Sequence, residues 1–178
     1  LVEPVPELEV LRVRHKHLGK FNYRPTQMNA DHGVQILDNI KGDCLEIVAR
    51  LRPLTAQQFG LAVCCAPDMS EYTTIILDQI NGLLRASNYS SPTGSEVAMD
   101  GVFNKAPWSP EKNDEVELHV YVDHSVIEIF VNEGRTSLTW RVYPTHPESN
   151  YFGVFAMQGE VEVTSLEVWG MRSVNSKQ

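Results

Sequence analysis

From Gly33 onward the apolar positions recur every second residue, the period of a strand with one buried face. Leu45, Ile47, Ala49 and Leu51 alternate with Glu46, Val48 and Arg50, and Phe59, Leu61, Val63 and Cys65 mark one face of the next run. Tyr72 to Leu77 is β-branched and aromatic, the composition of a buried strand. Further runs carry Leu118, Val120 and Val122; Ile127, Ile129 and Val131; and Leu138, Trp140 and Val142. Tyr151 to Ala156 and Val161 to Trp169 close the pattern. Turn residues separate the runs: Lys41-Gly42-Asp43, Pro67-Asp68, Asn81-Gly82, Asn132-Glu133-Gly134 and Gln158-Gly159. Short strands at this spacing predict a sandwich or barrel, and apolar residues on both faces favour two stacked sheets. In the last run Val161 and Val163 are out of phase with Leu166 and Val168, so one extra residue, a β-bulge, is expected near Thr164.

Two stretches depart from this period. Leu1 to Pro6 reads as an extended connector, and Pro6 to Arg12 as a short helix with proline in its first turn and Leu8 and Leu11 on one face. The basic run Arg12-Val13-Arg14-His15-Lys16-His17 reads as a solvated segment. Ser87 to Trp108 is rich in Ser, Gly, Pro and Asn and reads as a long loop with room for one irregular strand. Within it Asn88-Tyr89-Ser90 matches the N-glycosylation pattern, which makes Asn88 a glycosylation candidate if the chain is secreted.

The chain has 178 residues, 42% hydrophobic and 21% charged, enough for one domain with a real core. Fifteen basic against 23 acidic residues, net −8, argue against a nucleic-acid partner, and no apolar stretch is long enough to span a membrane. Three cysteines are too few for a disulfide scaffold. Cys44, Cys64 and Cys65 are read as buried thiols, with a bridge from Cys44 to either of the others as the alternative in a secreted chain. The chain opens on Leu1, without Met or a leader, and is expected to be a processed product or an excised piece.

No sequence feature supplies a complete catalytic set. There is no GxSxG elbow, no HExxH and no phosphate-cradling glycine loop. Of the histidines, only His15 and His17 stand two apart on one face, and they lack a third ligand, so no metal and no cofactor is expected. Cys/His spacing fits no zinc motif. Asp123 and Glu128 are the tempting carboxylate pair for glycoside cleavage. Asp123-His124-Ser125 reads as a turn, and Glu128, if its face is buried, needs a partner such as Arg135 or Arg141. Trp108, Trp140 and Tyr143 are of the type that stacks on sugar rings, or that packs a core.

One long segment carries a family signature. Val120 to Thr136, with Thr139 to Thr145, reads VDHSxxExFxNxGRTxxTxRVYP and resembles the C-terminal module of glycoside hydrolase family 32, the invertases, inulinases, levanases and related fructosyltransferases. Pro4 to Arg12 resembles that family's connector between domains, and Phe59-Gly60-Leu61 with Ser70 to Thr73 resembles an early hairpin of the module. The resemblance covers about residues 1 to 170. It implies an all-β, two-sheet antiparallel β-sandwich, a lectin-like jelly roll preceded by a short linker helix. The division expected is a connector over 1–20, the sandwich over 21–172 and a tail over 173–178. In the family the catalytic carboxylates lie on a separate five-bladed β-propeller. None of its three motifs is found here; Asn29-Ala30-Asp31 and Lys41-Gly42-Asp43-Cys44 do not match them. The resemblance therefore implies no catalytic residue. It gives Asp123, His124, Ser125, Glu128, Phe130, Arg135, Arg141, Tyr143 and Pro144 a structural role. The implied partners are the propeller of the same enzyme, a second copy in some members, and sucrose or fructan through the whole enzyme. The implied location is extracellular, or alternatively vacuolar or cell-wall associated. A free carbohydrate-binding module and an oligomerisation module are the competing readings.

Overall fold

The structure is a computed structural model and describes residues 4–24, 33–37, 41–90, 95–97, 105–109 and 114–172. Residues 1–3, Asn29-Ala30-Asp31, His32 and the tail over 173–178 lie outside the described residues. A 3-10 helix over Pro6–Leu11 comes first, with proline at its start and Glu7 and Glu9 in its first turn. Its three-residue repeat puts Leu8 and Leu11 on one half-buried face, as the spacing predicted.

Fourteen strands follow among the described residues. They are β1 Arg12–Leu18, β2 Phe21–Tyr23, β3 Val34–Ile36, β4 Cys44–Pro53, β5 Gln58–Cys65, β6 Glu71–Asp78 and β7 Leu83–Ser90. Then come β8 Ser95–Val97, β9 Lys105–Pro107, β10 Val116–Asp123, β11 Val126–Val131, β12 Thr136–Arg141, β13 Tyr151–Met157 and β14 Val161–Met171. One sheet runs β1-β14-β4-β10-β11-β12, with β2 also on β14. The other runs β3-β13-β5-β6-β7-β8, with β9 also on β7. Every pairing is antiparallel. The expected two-sheet sandwich is the fold observed.

The core lies between the sheets, where the alternating positions meet. Ile47, Ala49 and Leu51 of β4, Leu118 and Val120 of β10 and Ile127 and Ile129 of β11 face Phe59, Leu61, Ile75, Leu77, Leu84 and Val154 in one apolar cluster. The bulge expected in β14 is present: the β14–β4 register slips between Val163 and Ser165. The Thr164 hydroxyl donates to Glu115 at 2.6 Å and lies 3.1 Å from the carbonyl oxygen of Arg50. The slip brings both Val161 and Val163 and then Leu166 and Val168 into the same core.

Three expectations need correction. The basic run is not a loose solvated segment: Arg12 to Leu18 is strand β1, paired along β14. Ser87 to Ser90 is not loop but the second half of β7, paired with Glu71 to Thr74, and β8 and β9 add two further short strands. In β5 the strict alternation fails at its end. Cys64 adopts a left-handed φ of 51°, which turns its side chain into the main core and leaves Cys65 in a second cluster with Val34, Ala62, Tyr72, Ile76 and Phe155.

Glycine is obligatory at one point of this core. Gly60 has φ of 152°, and a Cβ there would stand 2.0 Å from the carbonyl oxygen of Ile75 on the neighbouring strand.

Candidate functional site

The signature residues run along β10, β11 and β12 and the turns and loop that follow them. Asp123 pairs with Val126 at the head of the β10–β11 hairpin, and His124 makes the tight turn with a left-handed φ of 51°. The turn read from the sequence is therefore present. Below it, His119 and Tyr121 of β10 point to the outer face and reach back to β4. There Glu46 lies between Leu45 and Ile47 and is fully buried. His119 Nε2 lies 2.8 Å from its carboxylate, Tyr121 donates its hydroxyl at 2.9 Å, and Phe130 packs edge-on against both rings.

The fourth partner comes from the start of the chain. Arg12 donates Nε and Nη2 to the two oxygens of Glu46, each at 2.7 Å, in a fork-to-fork pair. Its guanidinium also lies 4.3 Å from the ring centre of Trp169, on which His15 stacks. Burial by itself would raise the Glu46 pKa, but the hydrogen bonds from Arg12, His119 and Tyr121 outweigh it and hold the carboxyl down to about 2. The same burial, together with the Glu46 charge, pushes the Tyr121 hydroxyl up. Beside this hub His15 and His17 both hydrogen-bond Glu167, so the pair from the basic run does find a third group, as a hydrogen-bond acceptor.

A second buried carboxylate organises the loop after the signature. Glu71 accepts the backbone N–H of Thr145 at 2.9 Å and that of His146 at 3.3 Å, and the hydroxyls of Thr145 and Ser149 at 2.7 and 2.6 Å. Tyr143 and Pro144 precede this loop and are exposed; Arg141 donates to the Tyr143 hydroxyl at 3.0 Å and lies over its ring.

The other candidates separate. Glu128 is exposed opposite Tyr121 and Thr139, and among the described residues it makes no ion pair with Arg135 or Arg141, so the expected buried pairing is not what holds it. Asp123 and Glu128 share the outer face, yet neither lines the two clefts seen among the described residues. Ser125 lines the second of these clefts, and Arg135 the first. Trp108 and Trp140 are core residues, 5% and 8% exposed, so of the three stacking candidates only Tyr143 presents its ring. The Asn88 amide oxygen accepts the Trp140 indole N–H at 2.8 Å and the Thr73 hydroxyl at 2.9 Å.

All three cysteines are free, so no bridge joins Cys44 to Cys64 or Cys65. Burial and then the Asp43 charge push the Cys44 thiol up to about 11; burial first, then the Glu71 charge, pushes Cys64 up to about 12. Sequence spacing gave no hint that Cys44 and His124, eighty positions apart, would meet: Sγ lies 3.4 Å from His124 Nδ1.

Comparison with known proteins agrees with this arrangement. The family described as "Glycosyl hydrolases family 32 C terminal" matches residues 7–170. An acid beta-fructofuranosidase of Vicia faba is 29% identical over 96% of the chain, which spans 31% of that protein's length. The crystal structure of fructan 1-exohydrolase IIa from Cichorium intybus superposes with a TM-score of 0.69 at 20% identity, covering 96% of this chain and 37% of that one. A galectin from Caenorhabditis elegans shares the fold at a TM-score of 0.56 and 16% identity, covering 84% of this chain and 95% of that one. With its signature strands, its sandwich and a family match over nearly its whole length, the chain belongs to the C-terminal domain of glycosyl hydrolase family 32.

Proposed function

We propose that this domain is the non-catalytic support of a retaining fructosyl-bond enzyme and packs against a β-propeller that carries the reacting carboxylates. The observation that carries the reading is at the N-terminal segment. Val5, Val10 and Val13 stand 56, 69 and 39% exposed on a stretch that Arg12 anchors rigidly through Glu46. Apolar side chains held out to solvent by a buried ion pair fit a docking surface for a neighbouring domain. Residues 1–20 then serve as the connector, whose second half joins the sheet as β1, and 21–172 as the body of the sandwich. Sucrose, inulin or levan would be cleaved, or their fructosyl units transferred, through a covalent intermediate formed on the propeller.

The test is association and activity together. The chain alone should release no fructose from sucrose, inulin or levan and should not be retained on insoluble fructan. Co-expressed with a propeller half of the family, it should copurify with it, and Val10→Asp with Val13→Asp should abolish that association. Fructose release by the isolated chain would overturn the reading; retention on fructan would favour a carbohydrate-binding role through exposed Tyr143. Extracellular or vacuolar residence, a homodimeric state and a glycan on Asn88 Nδ2 belong to the same proposal. Light scattering decides the second, and intact mass before and after deglycosylation the third.

A further inference from the structure

The register of the first sheet brings the connector and the signature turn to the same end of the sandwich. There Arg12 pairs with Met171, Gly170 with Leu45, Cys44 with Asp123 and Val126 with Arg141. Backbone hydrogen bonds tie together the segments that leave these rungs. The N–H of Arg172 donates to Leu11, that of His124 to Asp43, that of Val142 to Ser125 and that of Gly42 to Asn150, at 2.7–3.0 Å. Only β14 and β4 separate β1 from β10, which at about 4.8 Å per strand is roughly 14 Å. One partner surface can therefore span the helix over Pro6–Leu11, the β10–β11 turn and the loop after β12.

Shape and charge at this end are both unsatisfied. Tyr143 is 62% exposed, yet its ring is held, because Arg141 donates to its hydroxyl at 3.0 Å and lies over the ring. An aromatic side chain already ordered gives up little entropy on docking. Beside it opens a cleft of about 480 Å³, walled by Tyr143, Pro144 and Pro147 and carrying Asp43 and His124. Asp43 and Asp123 have side chains 70 and 79% exposed, and among the described residues they form ion pairs only with His124, at 3.6 and 2.7 Å. One imidazole, even when protonated, balances one of two carboxylates. The nearby cations are engaged elsewhere: Lys41 with Tyr151, Arg141 with Tyr143, Arg172 with the carbonyl of Val10 and Arg12 with Glu46.

We infer that this end of the sandwich meets the propeller, and that the cleft beside Tyr143 receives an arginine side chain from it. The inference rests on the reading of the domain as a propeller support and adds the place and the chemistry of the contact. A guanidinium is planar and weakly hydrated, so it can lie against proline and tyrosine walls while it forks onto the Asp43 carboxylate. The ammonium of lysine is compact and strongly hydrated and fits such walls less well. Val10 and Val13 supply the apolar part of the same contact, and the charge at Asp43 and Asp123 fixes its register.

The experiment measures binding of the full chain to a propeller half of the family by biolayer interferometry at low and high salt. Asp43→Asn with Asp123→Asn should weaken binding about tenfold or more and reduce its salt dependence, because the pair of changes removes charge and keeps shape. Tyr143→Ala should also weaken it about tenfold or more. Ile80→Asp with Met157→Asp, exposed at the opposite end, should leave the affinity within about twofold. When the exposed arginines of the propeller half are replaced one at a time by lysine, one replacement should weaken binding and no longer add to the effect of the Asp43 and Asp123 changes. The substituted side chains are exposed, so unchanged thermal midpoints separate lost docking from lost fold. Unchanged affinity in either the aspartate pair or Tyr143→Ala, with the unmodified chain still bound, would overturn the docking end and leave the support role standing. A loss of affinity with the opposite-end pair would do the same, and the absence of any non-additive arginine would overturn the occupant. Failure of the unmodified chain to bind would overturn the support role and this inference with it.

Discussion

Arg12 and Glu46, 34 positions apart, meet in a bidentate pair of two 2.7 Å hydrogen bonds with the carboxylate fully buried. This single contact couples the connector to the middle of a sheet, since β4 is flanked by β14 and β10. Removing one partner of such a pair leaves the other charge buried, at up to about 3–5 kcal/mol, less what the remaining hydrogen bonds from His119 and Tyr121 to Glu46 supply. Arg12→Ala is therefore expected to lower unfolding stability by that amount in urea titration. Arg12→Lys should recover only part, because an ammonium cannot make the parallel fork.

Asn88 sits where a glycan acceptor was expected, and its amide oxygen bridges Trp140 of one sheet to Thr73 of the other. Asn88→Ala leaves an indole N–H and a hydroxyl without their acceptor, so stability should fall by about 1–3 kcal/mol. Near-ultraviolet circular dichroism should report the loosened Trp140, with little change in the far-ultraviolet spectrum.

Acid should destabilise the fold through the buried carboxylates, whose ionised form the folded state favours. The Glu71 pKa is lowered: burial opposes ionisation, but hydrogen bonds from Ser149, Thr145 and His146 outweigh it. A carboxyl depressed on folding contributes stability that is present above its unfolded pKa of about 4.3 and is lost as pH falls through the folded value. Thermal midpoints should thus drop below about pH 4, and Glu71→Gln should flatten that dependence while lowering stability at neutral pH.

Gly60→Ala should be among the most damaging single-methyl additions, since its Cβ would fall 2.0 Å from backbone and its φ is one that alanine avoids. The expected outcome is loss of soluble chain at 37 °C, read by expression and differential scanning calorimetry. Gly19→Ala, with open space around its Cβ, is the control and should be close to neutral.

Where residues act through their neighbours in the strand, the fold was readable in advance. The alternation of Leu118, Val120 and Val122 and the phase change at Thr164 correspond directly to the core and the bulge. The second half of β7 was not legible, because Ser87, Asn88, Tyr89 and Ser90 carry no apolar alternation and owe their strand state to pairing with β6. Cys64 escaped for a similar reason: a left-handed backbone at one position exchanges the two faces, and no local composition announces it. The site was legible only as a signature. Its chemistry rests on partners drawn from distant strands, Arg12 for Glu46 and Asp43 with Cys44 for His124, and such pairings follow from sheet order rather than spacing.

The antiparallel pairing of β1 with β14 has a mechanical side. Arg12 lies across from Met171, and the N–H of Arg172 reaches the carbonyl of Leu11, so chain enters and leaves at the same corner of the sandwich. Tension between those two points would open the ladder one rung at a time, as a zipper opens, instead of shearing all rungs together. Anything pulling on residues ahead of Leu11 would first strip away the edge strand and break Arg12 from Glu46.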